Sequence, residues 1–207
     1  MTSTSEDIEQ IAGLTLAYYN ARAEIFWEGT RDHDVRQNID ALLDAIPGVL
    51  PLTILDFGCG PGRDLKVFKE RGHIAVGLDG SKEFATMARA YSGCEVLQQD
   101  FLKLDLPAAW FDGVFANATL FHIPSQELPR VLSEIYAALK PGGILFSSIP
   151  HGNGTEGWNN ERYAVYHQPE AWRCYGEAAG FTELHHFYRP TGLPRDQQPW
   201  LASVWRR

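Results

Sequence analysis

The chain has 207 residues, 44% of them hydrophobic and 21% charged, a composition that argues against a disordered or low-complexity protein and suits one domain with a sizeable core. Its 26 acidic residues outnumber 18 lysines and arginines, for a formal charge of −8. No basic run offsets that excess, so a phosphate backbone is a poor partner and nucleic acid is not expected as a substrate. Cys59, Cys94 and Cys174 have no paired spacing, which gives no zinc knuckle or disulfide framework and fits a reducing, cytoplasmic compartment. The opening stretch, residues 1–7, is polar and acidic where a signal peptide would be basic and then apolar. No apolar run approaches the roughly 20 residues of a membrane helix.

Residues 8–27 read as a helix, because Ile8, Ile11, Leu14, Ala17 and Tyr18 recur at spacings of three and four and Ser5 can cap the start. A polar interruption at 29–34 precedes a second helix over 35–46, ended by Pro47 and Gly48. From Leu52 strands and helices alternate. Short apolar runs predict buried strands at 53–57, 74–78, 94–97, 111–116 and 144–149. Helices are predicted at 65–71, stopped by Gly72, after the cap Ser81 as far as Tyr91, and from the cap Ser125 to Leu139, stopped by KPGG at 140–143. A loop at 152–155, a helix at 169–179 and strands at 181–188 and 200–205 follow. The turn-rich stretch 190–194 cannot be a crossover helix, so the last two strands are predicted to form an antiparallel pair at one sheet edge. The whole is an α/β fold: three layers, with a seven-stranded, mostly parallel sheet and helices on both faces. No linker divides it, giving a single domain over 1–207, with 1–48 as a helical lid or cap.

The sharpest motif is DFGCGPG at 56–62, which follows a predicted strand and opens a helix. Alternating glycines there let the backbone approach a ligand closely. The spacing is G-x-G-x-G. A dinucleotide site wants a small residue three beyond the middle glycine, and Arg63 stands there. A plain tight turn is the bland alternative. Asp79, 17 residues after Gly62, lies near the offset at which an acid meets a ribose diol, although an acid also favours the start of the helix beyond it. Asp100 can accept from an exocyclic amine and Phe101 can wall a purine; alone, they read equally well as a solvated acid beside a core aromatic. All three groups sit beyond the carboxyl ends of parallel strands, where ligands bind in such sheets.

With these residues in view, the chain resembles the class I S-adenosylmethionine-dependent methyltransferases, in particular small bacterial ones. The matching segments are ILDFGCGPGRD (54–64), AVGLDGS (75–81), QQDFLKLDLP (98–107), FDGVFANATLFHIP (111–124), LPRVLSEIYAALKPGGILFSS (128–148) and EAWRCYGEAAGFTEL (170–184). The resemblance implies a Rossmann-like fold and S-adenosylmethionine as cofactor, leaving S-adenosylhomocysteine as product. It implies that Gly58, Cys59 and Gly60 lie along the methionine and ribose, with Asp79 on the ribose diol and Gly80 and Ser81 beside it. Asp100 and Phe101 would meet the adenine, Asn117 would add backbone near the methionine, and Tyr19, Trp27 and Arg31 would close the pocket.

Methyl transfer from a sulfonium needs alignment and a dry site, and a base only if the acceptor carries a proton. His122, just past the fourth strand, is the candidate base; a structural histidine is the alternative. Aromatics and arginines at Tyr18, Tyr19, Arg31, His33, Trp158, Arg162, Tyr163, Tyr166, Arg189 and Arg195 would suit a small, planar or carboxylate-bearing acceptor. The other histidines show no metal spacing and no acidic cluster stands out, so no metal is expected. Two other readings stay open: a nicotinamide-dependent oxidoreductase, and a cofactor-binding module without chemistry. The sequence does not specify the acceptor or the oligomeric state.

Overall fold

The computed structural model describes residues 4–207, so Met1 to Ser3 of the polar opening stretch lie outside the described residues. Helix α1 (Ser5–Ala21) is capped by Thr4, one residue before the expected Ser5. Thr4 and Asp7 form a reciprocal box: the Asp7 amide donates to Thr4 Oγ1 at 3.2 Å, and the Thr4 amide donates to Asp7 Oδ2 at 2.8 Å. The helix expected over 8–27 breaks at Arg22, and α2 (Ala23–Thr30) continues in a new direction. The break seats Phe26 beside Tyr19 and Phe84, with ring centroids 5.8 and 5.0 Å away. Helix α3 (Arg36–Leu43) ends earlier than expected, although Ile46 beyond it is still buried.

The main sheet is built from β1 (Thr53–Phe57), β2 (Ile74–Asp79), β3 (Glu95–Gln98), β4 (Phe111–Asn117), β5 (Leu139–Pro150), β8 (Thr182–Arg189) and β9 (Trp200–Arg206). Its order is β3-β2-β1-β4-β5-β9-β8. Strand β9 slots between β5 and β8 and runs against both; the other strands are parallel. The expected C-terminal antiparallel pair is therefore present, with β8 outermost. Helices α4 (Arg63–Glu70) and α5 (Lys82–Ser92) join α3 on one face, while α6 (Leu128–Ala138) and α7 (Pro169–Ala178) pack on the other. Alternating side chains feed the two layers: Ile54 and Val204 enter the first, Leu55 and Trp205 the second.

One expectation fails locally, and one element was not foreseen. Ser125 does not cap α6, which starts at Leu128 after Glu127. The carbonyl of Pro124 is taken by the Glu127 and Leu128 amides, and the Ser125 amide turns to Glu156. The segment after the 152–155 loop also forms a hairpin, β6 (Thr155–Asn159) with β7 (Arg162–Tyr166). Its turn residues, Asn160 and Glu161, both have positive φ, 48° and 67°, as a tight hairpin turn requires. No glycine marks the turn, so little in its residues announces it.

Candidate active site

Every chemically suggestive group on the parallel strands lies at the same rim of the sheet. Around them is a cavity of about 690 Å³, roofed by α1, α2 and the hairpin. It is lined by the expected Tyr19, Trp27, Gly58, Cys59, Gly60, Asp79, Gly80, Asp100, Phe101, Asn117 and His122.

The glycine turn after β1 is held from beneath: the Gly58 and Cys59 amides both donate to the Leu78 carbonyl, at 2.7 and 3.0 Å. Gly58 has φ of 76°, and a Cβ there would stand 2.3 Å from the Thr119 side chain. Burial pushes the Cys59 thiol well above its usual value, which makes it inert.

Asp79, at the end of β2, is buried. One carboxylate oxygen accepts from the Gly60 amide at 2.9 Å and the other from the Ser81 amide at 2.8 Å. Burial raises the carboxyl to about 6, partly offset by those two N–H groups. Asp56, beneath the turn, is also buried. One of its oxygens has no partner, and burial and the nearby Asp64 hold it well above the usual carboxylate range. The sequence reading gave this residue no role.

Asn117 Nδ2 donates to Asp64 at 3.3 Å and its Oδ1 accepts from Asn38 at 2.9 Å. Asp64 is gripped by Arg63, which also donates to the Thr30 carbonyl and so ties the end of α2 to the glycine turn. Asp100 accepts from the Leu102 amide at 2.9 Å, and Phe101 stacks on Phe57 at 4.6 Å between centroids.

Two expected residues do not line the cavity. Ser81 is buried beneath it, where its hydroxyl caps α5 through the Phe84 amide and donates to Asn20. Arg31, one step past α2, is exposed and pairs with Asp32. Among the aromatics and arginines expected to face the acceptor, Tyr19, His33, Arg162 and Arg189 line the cavity, and Tyr18, Trp158, Tyr163, Tyr166 and Arg195 do not. Arg63, Phe84, Thr119 and Trp200 also line it, although no role was read for them from the sequence.

His122 ends a short 3₁₀ turn, Leu120–His122, after β4. Its Nδ1 lies 2.6 Å from the Tyr163 carbonyl, which can only accept, so Nδ1 carries the hydrogen. Burial lowers the imidazole to about 4, so it is neutral at pH 7, and Nε2 accepts from the Tyr19 hydroxyl at 2.7 Å. Arg162 donates to that same hydroxyl at 3.0 Å. Among the described residues no group of three or more His, Cys, Asp or Glu is placed to hold a metal, and no helix is long and apolar enough to cross a membrane.

A parallel sheet with a glycine turn after its first strand and an acid at the end of its second defines a Rossmann-like nucleotide-cofactor fold. Comparison with known proteins narrows this. Residues 55–147 match the family described as "Methyltransferase domain". Trans-aconitate 2-methyltransferase of Azoarcus sp. (strain BH72) is 38% identical over 112 residues, which are 53% of this chain and 43% of that protein. 24-Methylenesterol C-methyltransferase 2 of Oryza sativa subsp. japonica is 34% identical over 128 residues, 58% of this chain and 33% of that protein. The chain thus aligns with less than half the length of these curated relatives. Among solved structures, the 1,6-didemethyltoxoflavin-N1-methyltransferase of Burkholderia thailandensis, with bound 1,6-didemethyltoxoflavin and S-adenosylhomocysteine, superposes with a TM-score of 0.79 at 22% identity. That match covers 100% of this chain and 93% of the other. Residues 55–147 thus match a methyltransferase domain, and the chain shares its fold with S-adenosylmethionine-dependent methyltransferases of known structure.

Proposed function

We infer that the protein transfers a methyl group from S-adenosylmethionine to a small-molecule acceptor. The observation that carries this is the order of groups along the sheet rim: Asp100, Asp79, the glycine turn and Asn117, on neighbouring strands and all facing one cavity. The cavity fits the cofactor: it holds about 690 Å³, and Gly60 lines it without a side chain, the nearest atom to a Cβ there being Phe26 of the same cavity wall at 3.7 Å. When bound, the cofactor supplies an activated methyl on a sulfonium. In this reading Gly58, Cys59 and Gly60 lie along its methionine and ribose, Asp79 accepts from the ribose diol beside Gly80, and Asp100 and Phe101 hold the adenine. Asn117 borders the methionine. Tyr19 and Trp27, on α1 and α2, roof the site and exclude water, giving residues 1–48 their role as cover. The charge of −8 favours a small acceptor over nucleic acid, and free Cys59, Cys94 and Cys174 fit a reducing cytoplasm.

His122 serves as base through Tyr19. An acceptor proton passes to the Tyr19 oxygen as the Tyr19 hydrogen moves to His122 Nε2. An imidazole pushed down to about 4 is a weak base, suited to a proton that becomes acidic only as the acceptor gains its methyl group.

Calorimetry tests the cofactor. S-adenosylhomocysteine is expected to bind in about the micromolar range, near 8 kcal/mol, and NAD not at all. NAD binding as tightly would favour the nicotinamide reading; tight S-adenosylhomocysteine binding with no turnover across an acceptor screen would favour a module without chemistry.

A pH series tests Asp79. Its folded value, about 6, is above the ordinary 3.8, so its contribution to stability is present at low pH and lost as pH rises through 6. A ribose diol needs the ionised form. S-adenosylhomocysteine affinity is therefore expected to fall about tenfold from pH 7.5 to pH 5, as the carboxylate takes its proton. A flat profile would remove Asp79 from the diol.

A further inference from the structure

Two guanidinium groups line the cavity without a carboxylate partner among the described residues, Arg162 and Arg189. Arg22, Arg36, Arg63, Arg71 and Arg130, in contrast, each pair with an acid. Arg162 is committed to the Tyr19 hydroxyl. Arg189 is less engaged. One terminal nitrogen donates to the Asp34 backbone carbonyl at 3.1 Å, and its Nε is buried with no partner. The Asp34 carboxylate is taken by Arg36 through contacts of 3.0, 3.2 and 2.6 Å. Arg63, whose like charge repels that of Arg189, is paired with Asp64. A guanidinium stays charged at any physiological pH, so Arg189 is a half-buried charge whose Nε donor is unspent. In a chain with eight more acids than lysines and arginines, none among the described residues forms an ion pair with Arg189; the nearby Asp34 carboxylate is held by Arg36.

The position of Arg189 separates it from the cofactor groups. It ends β8, opposite Trp200 of β9, and Trp200 stands opposite Pro150 of β5. Four strand spacings of about 4.8 Å, roughly 19 Å, separate the backbones of β8 and β1 along the rim. Trp200 and Phe121, whose rings meet edge to face at 6.2 Å, wall the cavity on this side.

We propose that Arg189 is the anchor for a carboxylate on the methyl acceptor, whose apolar body lies against Trp200 and Phe121. The unspent N–H groups match the two oxygens of a carboxylate, a pairing that guanidinium geometry favours. The assignment rests on the methyl-transfer reading and names the acceptor class: small carboxylic acids.

The experiment is calorimetric titration of benzoate, glutarate and tricarballylate, with benzamide as the uncharged control, into the protein saturated with S-adenosylhomocysteine. The wild-type protein is expected to bind at least one carboxylate and not benzamide. Arg189→Gln weakens that carboxylate about ten- to a hundredfold, in keeping with hydrogen bonds to a charged group. Arg189→Lys, which keeps the charge, recovers part of the affinity, and both variants hold S-adenosylhomocysteine within about twofold of wild type, which also shows that they fold. The anchor is overturned if no carboxylate binds the wild-type complex, or if Arg189→Gln binds the carboxylate as well as wild type does. It is also overturned if Arg189→Gln loses S-adenosylhomocysteine affinity but keeps that for 5′-methylthioadenosine, which lacks the amino-acid portion; the carboxylate would then be the cofactor's own. A wild-type protein that binds no S-adenosylhomocysteine is a separate result, which rejects the methyl-transfer reading itself and the anchor with it.

Discussion

Gly62→Ala should cost the fold about 2–5 kcal/mol, the sum of a left-handed residue gaining a side chain and of overpacking against a rigid neighbour. Gly62 has φ of 94°, and a Cβ there would stand 2.8 Å from the Ala88 Cα and 3.1 Å from its Cβ. The obstacle is the backbone of α5, which cannot rotate aside as a side chain would. Helices α4 and α5 therefore have to separate, and with them the glycine turn and the cap of α5. Against a total stability of about 5–15 kcal/mol, the loss is a large share. Thermal denaturation should show a midpoint lowered by about 5–20 °C. Gly72→Ala is the control: its φ of 86° carries the same backbone strain, but nothing lies within 4 Å of the added carbon. Equal midpoints for the two variants would show that the contact with Ala88 costs nothing.

Asp79→Ala should weaken S-adenosylhomocysteine binding by about 1.5–3 kcal/mol, roughly ten- to 150-fold, from loss of the charged acceptor for the diol. The carboxylate has a second role in the protein itself. It receives the Gly60 and Ser81 amides, so its removal strands two buried donors and frees the glycine turn from the end of β2. Asp79→Asn keeps one acceptor oxygen and should fall between alanine and wild type in both affinity and melting temperature. An alanine variant that folds and binds S-adenosylhomocysteine as tightly as wild type would exclude the residue from the cofactor site.

The parallel half of the sheet and the glycine turn were legible because both are local. Ile54 and Leu55 or Leu78 and Asp79 announce a buried strand and its end within a few residues, and the turn declares itself by three glycines. The site residues that lie on such segments, from Gly58 to Asn117, all reach the cavity except Ser81. Ser81 differs because a helix cap and a ligand compete for one hydroxyl, and the cap is nearer. Where position depends on a bend or on distant packing, sequence spacing was silent. A single helix pattern ran through Arg22, whose break turns Phe26 inward and leaves Arg31 outside. Tyr163 was read as facing the acceptor; in the hairpin it contributes its carbonyl to His122 instead. That Arg189 has no ion-pair partner among the described residues emerges only when β8, α3 and α4 are in place together.

The position of β9 has a consequence for how the cavity can change over evolutionary time. β8 precedes β9 in the chain but joins the sheet only through it, whereas β3, β2, β1 and β4 pair among themselves without either. The rim that carries Asp100, Asp79, the glycine turn and Asn117 is thus built without the last two strands, and the part that carries Trp200 and Arg189 lies beyond it. Substitutions in β8 and β9 can reshape one end of the cavity while the registers that position Gly58, Asp79 and Asn117 stay as they are. Change at this end of the cavity can therefore concentrate in the edge strand β8 and in Trp200 at the start of β9, whose side chains from Leu201 to Trp205 are buried in the core.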